Sequence, residues 1–310
     1  MTPPPIPSSI RPPLGAGFLP RSAAMRQVLV ALGLAAAFSA GAPQARAQGT
    51  VPEHAAGLLE QAVTVPLDGS ATQTGVLSRR RGVEAPTHLA VLLPGHPSVV
   101  RPVMGEGFMA SSSLSGNFLI RARRHLADDR IASLIVDCRS DASSPCSAAY
   151  QASPQRQQDV QRLIDEVRRQ LPSIESVWLV GTSMGTISSA YMAMHAPDAY
   201  AGAIHTAGIT EPYAFGSYVE MTRIDLRRVG RTAHFIVHHR HDPCRLTTWI
   251  GAQRWSREFD VPLLTVTGGS GFTGNPCMAH TEHGFKGREF DVMRAMARII
   301  TTGRLEQTSL

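Results

Sequence analysis

The chain has 310 residues, 43% of them hydrophobic and 17% charged, with a formal charge of +6. This is ordinary globular composition in a chain long enough for one substantial core. Lys286 is the only lysine and the arginines are scattered among acids; with no continuous basic stripe carrying interleaved aromatics, a nucleic-acid partner is excluded.

Residues 1–24 carry seven prolines and no helix or strand pattern. At Met25 the text changes: Met25-Arg26 gives a short positive start, residues 28–40 form an apolar run too short to span a bilayer, and Ala45-Arg46-Ala47 is a small-x-small cleavage site. Residues 1–47 are therefore expected to be a leader with a secretory signal peptide, translated from Met25 and cut before Gln48. Cleavage would leave 263 residues, 48–310, with no stable membrane insertion and a periplasmic or secreted address. The leader holds four arginines and no acid, so the formal charge of the remainder is +2.

Beyond the leader, residues 51–61 look helical or irregular. Residues 62–67 and 74–78 flank an Asp68-Gly69-Ser70 turn and read as a hairpin. Residues 88–93 are a near-continuous apolar run, as in a strand buried on both faces, ending at Pro94-Gly95-His96-Pro97. An irregular loop (98–116), a helix (118–127) and a second buried strand (131–136) follow. After a Ser/Pro/Cys loop (139–154), Val160, Leu163, Ile164, Val167 and Leu171 fall at helical spacing in an amphipathic helix over 155–171. Strands are expected at 178–180, 200–205, 232–238 and 261–266. Helices are expected at 186–195 and 247–259, with mixed turn and helix signals over 211–229. A Gly-rich loop (268–283) leads to a last helix with Phe290, Met293, Ala297 and Ile300 on one face. This alternation predicts an α/β fold: a single domain with a mostly parallel central sheet and helices on both faces.

The chemistry centres on Gly181-Thr182-Ser183-Met184-Gly185, a Gly-x-Ser-x-Gly turn between a buried-type strand and an Ala-rich helix. A serine at such an apex needs a base to take its proton and a carboxylate to orient that base. In parallel sheets, functional loops lie at the carboxyl ends of strands. Asp242 stands a few residues past strand 232–238, with Glu211, after the preceding strand, as the alternative acid. His283, in the loop after the last strand and beside Gly284, is the expected base, with His280 as its alternative. The backbone N–H groups of Met184 and His96 are the expected oxyanion donors, Gly95 allowing close approach.

Cys138, Cys146, Cys244 and Cys277 form an even set, which favours two disulfides in an oxidising compartment. Three pairings are possible. Cys138–Cys146 would staple one short loop, whereas Cys244–Cys277 would tie the Asp242 loop to the His283 loop. No Cys-x-x-Cys spacing supports zinc. His205, His238, His239 and His241 lack a matching carboxylate or cysteine set, so neither metal nor cofactor is expected.

Leu93-Pro94-Gly95-His96-Pro97, the Gly181–Gly185 pentapeptide, Asp242 and His283-Gly284-Phe285 stand in the order and spacing of the α/β-hydrolase superfamily, which the sequence resembles over roughly residues 60–303. It looks most similar to secreted bacterial members with a dienelactone-hydrolase-like His-Gly-Phe ending. The resemblance implies a Ser183–His283–Asp242 triad, no cofactor, and a small-molecule acyl substrate cleaved through an acyl-enzyme, an ester in the first instance. Peptidase, thioesterase and acyltransferase are the alternatives on the same fold. The rival of another class is a catalytically silent binding protein, against which the intact triad argues. The sequence departs from the family pattern in Pro94, where many members have histidine, and in its cysteine pairs. Only about twenty residues (211–231) stand where many members insert a cap, implying an open site or a small lid.

Overall fold

The computed structural model describes residues 50–213, 217–228 and 230–310. The expected leader, its Met25 start and its cleavage site lie outside the described residues. The chain from residue 50 runs β1 (Leu58–Pro66), β2 (Thr72–Arg80), β3 (His88–Leu93), β4 (Val103–Met104), β5 (Met109–Ser111), α1 (Phe118–Arg121), β6 (Ile131–Val136), α2 (Ala148–Gln151), α3 (Pro154–Gln170), β7 (Ser176–Thr182), α4 (Gly185–His195), β8 (Gly202–Thr206), β9 (Ala233–His239), α5 (Trp249–Phe259), β10 (Leu263–Val266) and α6 (Glu289–Thr302).

Eight strands make one sheet in the order β1-β2-β6-β3-β7-β8-β9-β10. The first two form an antiparallel hairpin, β2 runs antiparallel to β6, and β6, β3, β7, β8, β9 and β10 are mutually parallel. Pleat alternation divides the apolar runs between two cores. Leu89, Val91 and Leu93 of β3 pack with Val160, Leu163, Ile164 and Val167 of α3. The intervening Ala90 and Leu92 pack on the opposite face with Phe118, Leu119, Met293 and Met296 of α1 and α6. Burial on both sides explains why β3 and β6 read as continuous apolar runs rather than alternating ones. Among the described residues no helix is long and apolar enough to cross a membrane.

The differences from the sequence reading are local. Residues 51–61 are not helical beyond a short 3₁₀ turn at Glu53–Ala55, and β1 begins at Leu58. Glu60 faces inward there, which breaks the period-two signal. Its carboxylate takes Arg123 Nε at 2.7 Å and Nη2 at 2.8 Å, the Ser78 hydroxyl, and the Met109 amide at 2.8 Å. Burial opposes its ionisation, but Arg123 outweighs that and holds the carboxyl below its ordinary range. The loop 98–116 contains the small β4–β5 hairpin. The helix expected over 118–127 is α1 followed by a 3₁₀ turn at Arg123–His125. Residues 139–154 include the short α2. Phe290 is exposed, its ring set edge-on against His125; the buried face of α6 is instead Val292, Met293, Met296, Ala297, Ile299 and Ile300.

The Glu60–Arg123 pair has no exposed side-chain surface. Replacing Arg123 by Met strands a buried carboxylate, and unfolding in urea is expected to show a loss of about 3–5 kcal/mol. A midpoint shift equivalent to under about 1 kcal/mol would mean that the network contributes little.

Candidate active site

β7 ends in a turn that leaves Ser183 at φ 51°, a left-handed conformation that few residues adopt without a local reason. The reason is the packing on either side. A Cβ on Gly181 would lie 2.3 Å from Ser189 Oγ and 2.6 Å from the Gly185 carbonyl oxygen. A Cβ on Gly185 would lie 1.9 Å from the Leu93 carbonyl oxygen. Only glycine fits at both places, so the serine is held at the apex between strand and helix. The Ser183 amide donates to the Thr206 carbonyl at 3.0 Å, fixing the turn to β8.

Asp242 follows β9 and has no exposed side-chain surface. Its Oδ2 lies 3.0 Å from His283 Nδ1 and accepts the Thr247 hydroxyl at 2.9 Å, while Oδ1 accepts the Cys244 amide at 2.9 Å. His238, on β9, points Nε2 at the Thr247 carbonyl (2.8 Å) and stands 3.5 Å from Asp242 Oδ2. Burial opposes ionisation of Asp242, but the charge and hydrogen bond of His283, with the hydrogen bond of His238, prevail and hold the carboxyl well below the carboxylate range. The aspartate is thus a fixed anion that orients the His283 ring through Nδ1 and leaves Nε2 for chemistry.

His283 and Ser183 line the same cavity of about 500 Å³, together with His96, Asn117, Leu246 and Tyr218. Among the described residues of its wall, none is Asp, Glu, Lys or Arg. The His96 backbone sits in a loop pinned by Ser98, whose hydroxyl donates to the carbonyls of Pro94 (2.9 Å) and Gly95 (3.1 Å). Among the described residues no protein acceptor takes the amide of His96 or Met184.

Both disulfides form between the loop partners, Cys138 with Cys146 and Cys244 with Cys277. The second lies in the cavity wall and joins the Asp242 loop to the His283 loop. The alternative residues stand elsewhere. His280 is exposed, with Nε2 against Gly116. Glu211 accepts the Thr248 hydroxyl at 2.9 Å and faces Arg254 at 3.3 Å. The 211–231 segment contributes Tyr218 to the wall and a 3₁₀ turn at Val219–Arg223; residues 214–216 and 229 of it lie outside the described residues. No group of three or more His, Cys, Asp or Glu among the described residues is placed to hold a metal.

Three wall or support residues escaped the sequence reading. Asn117 carried a usable signal, since an Asn directly before a helix is a capping residue. Thr247 and His238 carried none, because their role depends on where Asp242 folds back.

Beneath the elbow, His205 bonds Ser189 Oγ through Nδ1 at 2.8 Å and His234 Nδ1 through Nε2 at 3.0 Å. Burial pushes His205 well below its ordinary value of 6.5, with His234 adding to the shift.

The solved structures with similar backbones include a lidless α/β serine hydrolase from Xanthomonas campestris, with a TM-score of 0.52 and 14% identity over 81% of this chain and 97% of that one. A cold-adapted esterase from an Arctic intertidal metagenomic library gives a TM-score of 0.51 and 11% identity over 79% of this chain and 95% of that one. No protein-family model and no curated protein sequence matches the chain. At these identities the likeness is one of architecture: the chain has the α/β-hydrolase fold.

The buried histidines predict an acid sensitivity. Burial lowers His234 from 6.5 to about 4. The unfolded chain therefore binds a proton that the folded one refuses, so stability is full above about pH 6.5 and is lost as pH falls towards 4. His234 alone accounts for a loss on the order of 3 kcal/mol at about 1.4 kcal/mol per unit. Urea midpoints at pH 7.5 and 4.5 measure this, and equal midpoints would show that the site accepts the charged ring.

Proposed function

We propose that the protein is a serine hydrolase that cleaves a carboxylic ester or related acyl bond. The observation that carries this reading is a serine at positive φ (51°) sharing a cavity with a histidine whose Nδ1 is held 3.0 Å from a buried aspartate. Ser183 Oγ attacks the acyl carbon while His283 Nε2 takes its proton. Asp242 orients the ring and stabilises its charged form. The Met184 and His96 amides receive the developing oxyanion. The leaving alcohol departs with the proton from His283. Water then repeats the sequence on the acyl-enzyme, releasing the acid and restoring Ser183.

The uncharged walls favour a neutral acyl group, since a charge there would be desolvated without a partner. Their described residues offer no carboxylate to an α-ammonium group, which favours an esterase over an aminopeptidase. The esterase and the lidless serine hydrolase of like fold support the hydrolase reading itself. The leader pattern and two disulfides support export to the periplasm or beyond.

A fluorophosphonate probe is expected to label Ser183, and Ser183→Ala to lose about 10⁴–10⁶ in kcat on p-nitrophenyl esters with its unfolding midpoint unchanged. An alanine variant within tenfold of wild type, or a wild type that resists the probe, would leave the silent binding protein as the better reading. For export, intact mass of the protein recovered from a periplasmic fraction should begin at Gln48; a chain retaining residues 25–47 contradicts the leader assignment.

A further inference from the structure

The Asn117 side chain uses one end of its amide and leaves the other facing the cavity. Its Oδ1 accepts the Leu119 amide at 3.0 Å and so caps α1. Only the oxygen end can accept, which settles the amide's orientation and directs Nδ2 away from the helix. Among the described residues, Nδ2 donates to no protein atom, and the side chain lines the cavity shared by Ser183 and His283. The point that a Cβ on Gly95 would occupy lies 3.5 Å from Asn117 Nδ2 and 3.0 Å from Ser183 Cβ. The donor and the serine therefore flank one point beside Gly95 in the cavity wall. The surroundings hold Asn117 in place: its backbone N–H donates to the Leu114 carbonyl at 2.8 Å. The carbonyl of neighbouring Gly116 accepts Arg121 Nη1 at 2.7 Å, and Arg121 Nη2 donates to the Gly284 carbonyl, next to His283, also at 2.7 Å.

We propose that Asn117 is a catalytic residue, its Nδ2 donating a hydrogen bond to the substrate's carbonyl oxygen as that atom gains negative charge. This rests on the serine-hydrolase reading and adds a side-chain donor to the two backbone amides. A fixed donor aimed at charge that appears only in the transition state lowers the barrier without tightening substrate binding. The cap on α1 supplies the fixation: Asn117 need not reorganise when the oxyanion forms.

Two substitutions separate the cap from the donor. Asn117→Ser keeps an N-capping oxygen and withdraws Nδ2; Asn117→Asp keeps the size and the cap but replaces the donor with an acceptor. On p-nitrophenyl butyrate, both are expected to lose about 10²–10³ in kcat, with KM within about threefold of wild type and the urea midpoint unchanged. A trifluoromethyl ketone, which forms a tetrahedral adduct with the serine, should bind each variant more weakly by the factor lost in kcat/KM. Values of kcat within about threefold of wild type in either folded variant overturn the proposal. So does a loss confined to KM, which would mark ground-state binding. So too does a fall in kcat that the inhibitor does not follow, which would mark a structural role. In each of those cases, continued phosphonate labelling of wild-type Ser183 leaves the serine-hydrolase reading intact. A wild type that neither reacts with the phosphonate nor turns over esters removes both.

Discussion

A methyl group at position 185 would sit 1.9 Å from the Leu93 carbonyl oxygen and 2.6 Å from that of Pro94. That contact fixes much of the candidate site. The first turn of α4 lies directly against the carboxyl end of β3, so the Met184 amide and the loop carrying His96 are brought side by side. The same closeness forces the chain at Ser183 into positive φ and aims its side chain into the cavity. Backbone strain of this kind costs on the order of 1–3 kcal/mol and persists only where its surroundings over-determine it. Here they do: β3 and β7 are paired from His88 to Leu93 against Ser176 to Gly181, and the Ser183 amide is tied to β8.

The sheet provides positions and the loops provide chemistry, and the two differ in how legible they are in sequence. The parallel strands are continuous apolar runs because both faces are covered, and α3 shows a clean amphipathic stripe; local patterns suffice for these. The Gly-x-Ser-x-Gly turn is legible because its glycines mark the two places where a Cβ would collide, Gly181 with Ser189 and Gly185 with Leu93. Asp242 and His283 were placeable because functional loops follow strand ends, which turns topology into a position along the chain. Glu60 and Phe290 mark the limit. Glu60 is buried because Arg123, 63 residues away, reaches it with two nitrogens. A local pattern has no means of registering such a partner. Phe290 falls at helical spacing with the core residues of α6, yet it covers His125 at the surface; spacing assigns a face but not which member at its edge is covered.

The acid loop illustrates how a buried carboxylate is made tolerable. An aspartate removed from water carries a desolvation cost of several kcal/mol unless donors replace the water it loses. Asp242 has the Cys244 amide on one oxygen, and the Thr247 hydroxyl and His283 Nδ1 on the other. Two of these donors come from residues two and five positions further on, so the segment after β9 solvates much of its own carboxylate. The Cys244–Cys277 bridge joins the loop that carries Asp242 to the loop that carries His283. It closes 33 residues of chain, and a loop of that length lowers the entropy of the unfolded state by the equivalent of about 3–4 kcal/mol.

His238 anchors the orientation of this loop. Its Nε2 faces the Thr247 carbonyl at 2.8 Å, and a carbonyl can only accept, so that nitrogen carries the proton. The other nitrogen, Nδ1, is buried with no protein partner among the described residues. A buried lone pair left unsatisfied is a cost that selects one ring orientation, since turning the imidazole over would lose the Thr247 bond as well. The ring therefore holds the Thr247 backbone in one place and adds its own dipole on the Asp242 side, at 3.5 Å from Oδ2. Thr247 in turn places its hydroxyl 3.0 Å from His283 Nδ1 and 2.9 Å from Asp242 Oδ2. The hydrogen-bonding order runs from β9 outward, from His238 through Thr247 to Asp242 and His283, so the ring that shares a cavity with Ser183 is tied to the strand as well as to the Gly-rich loop that carries it.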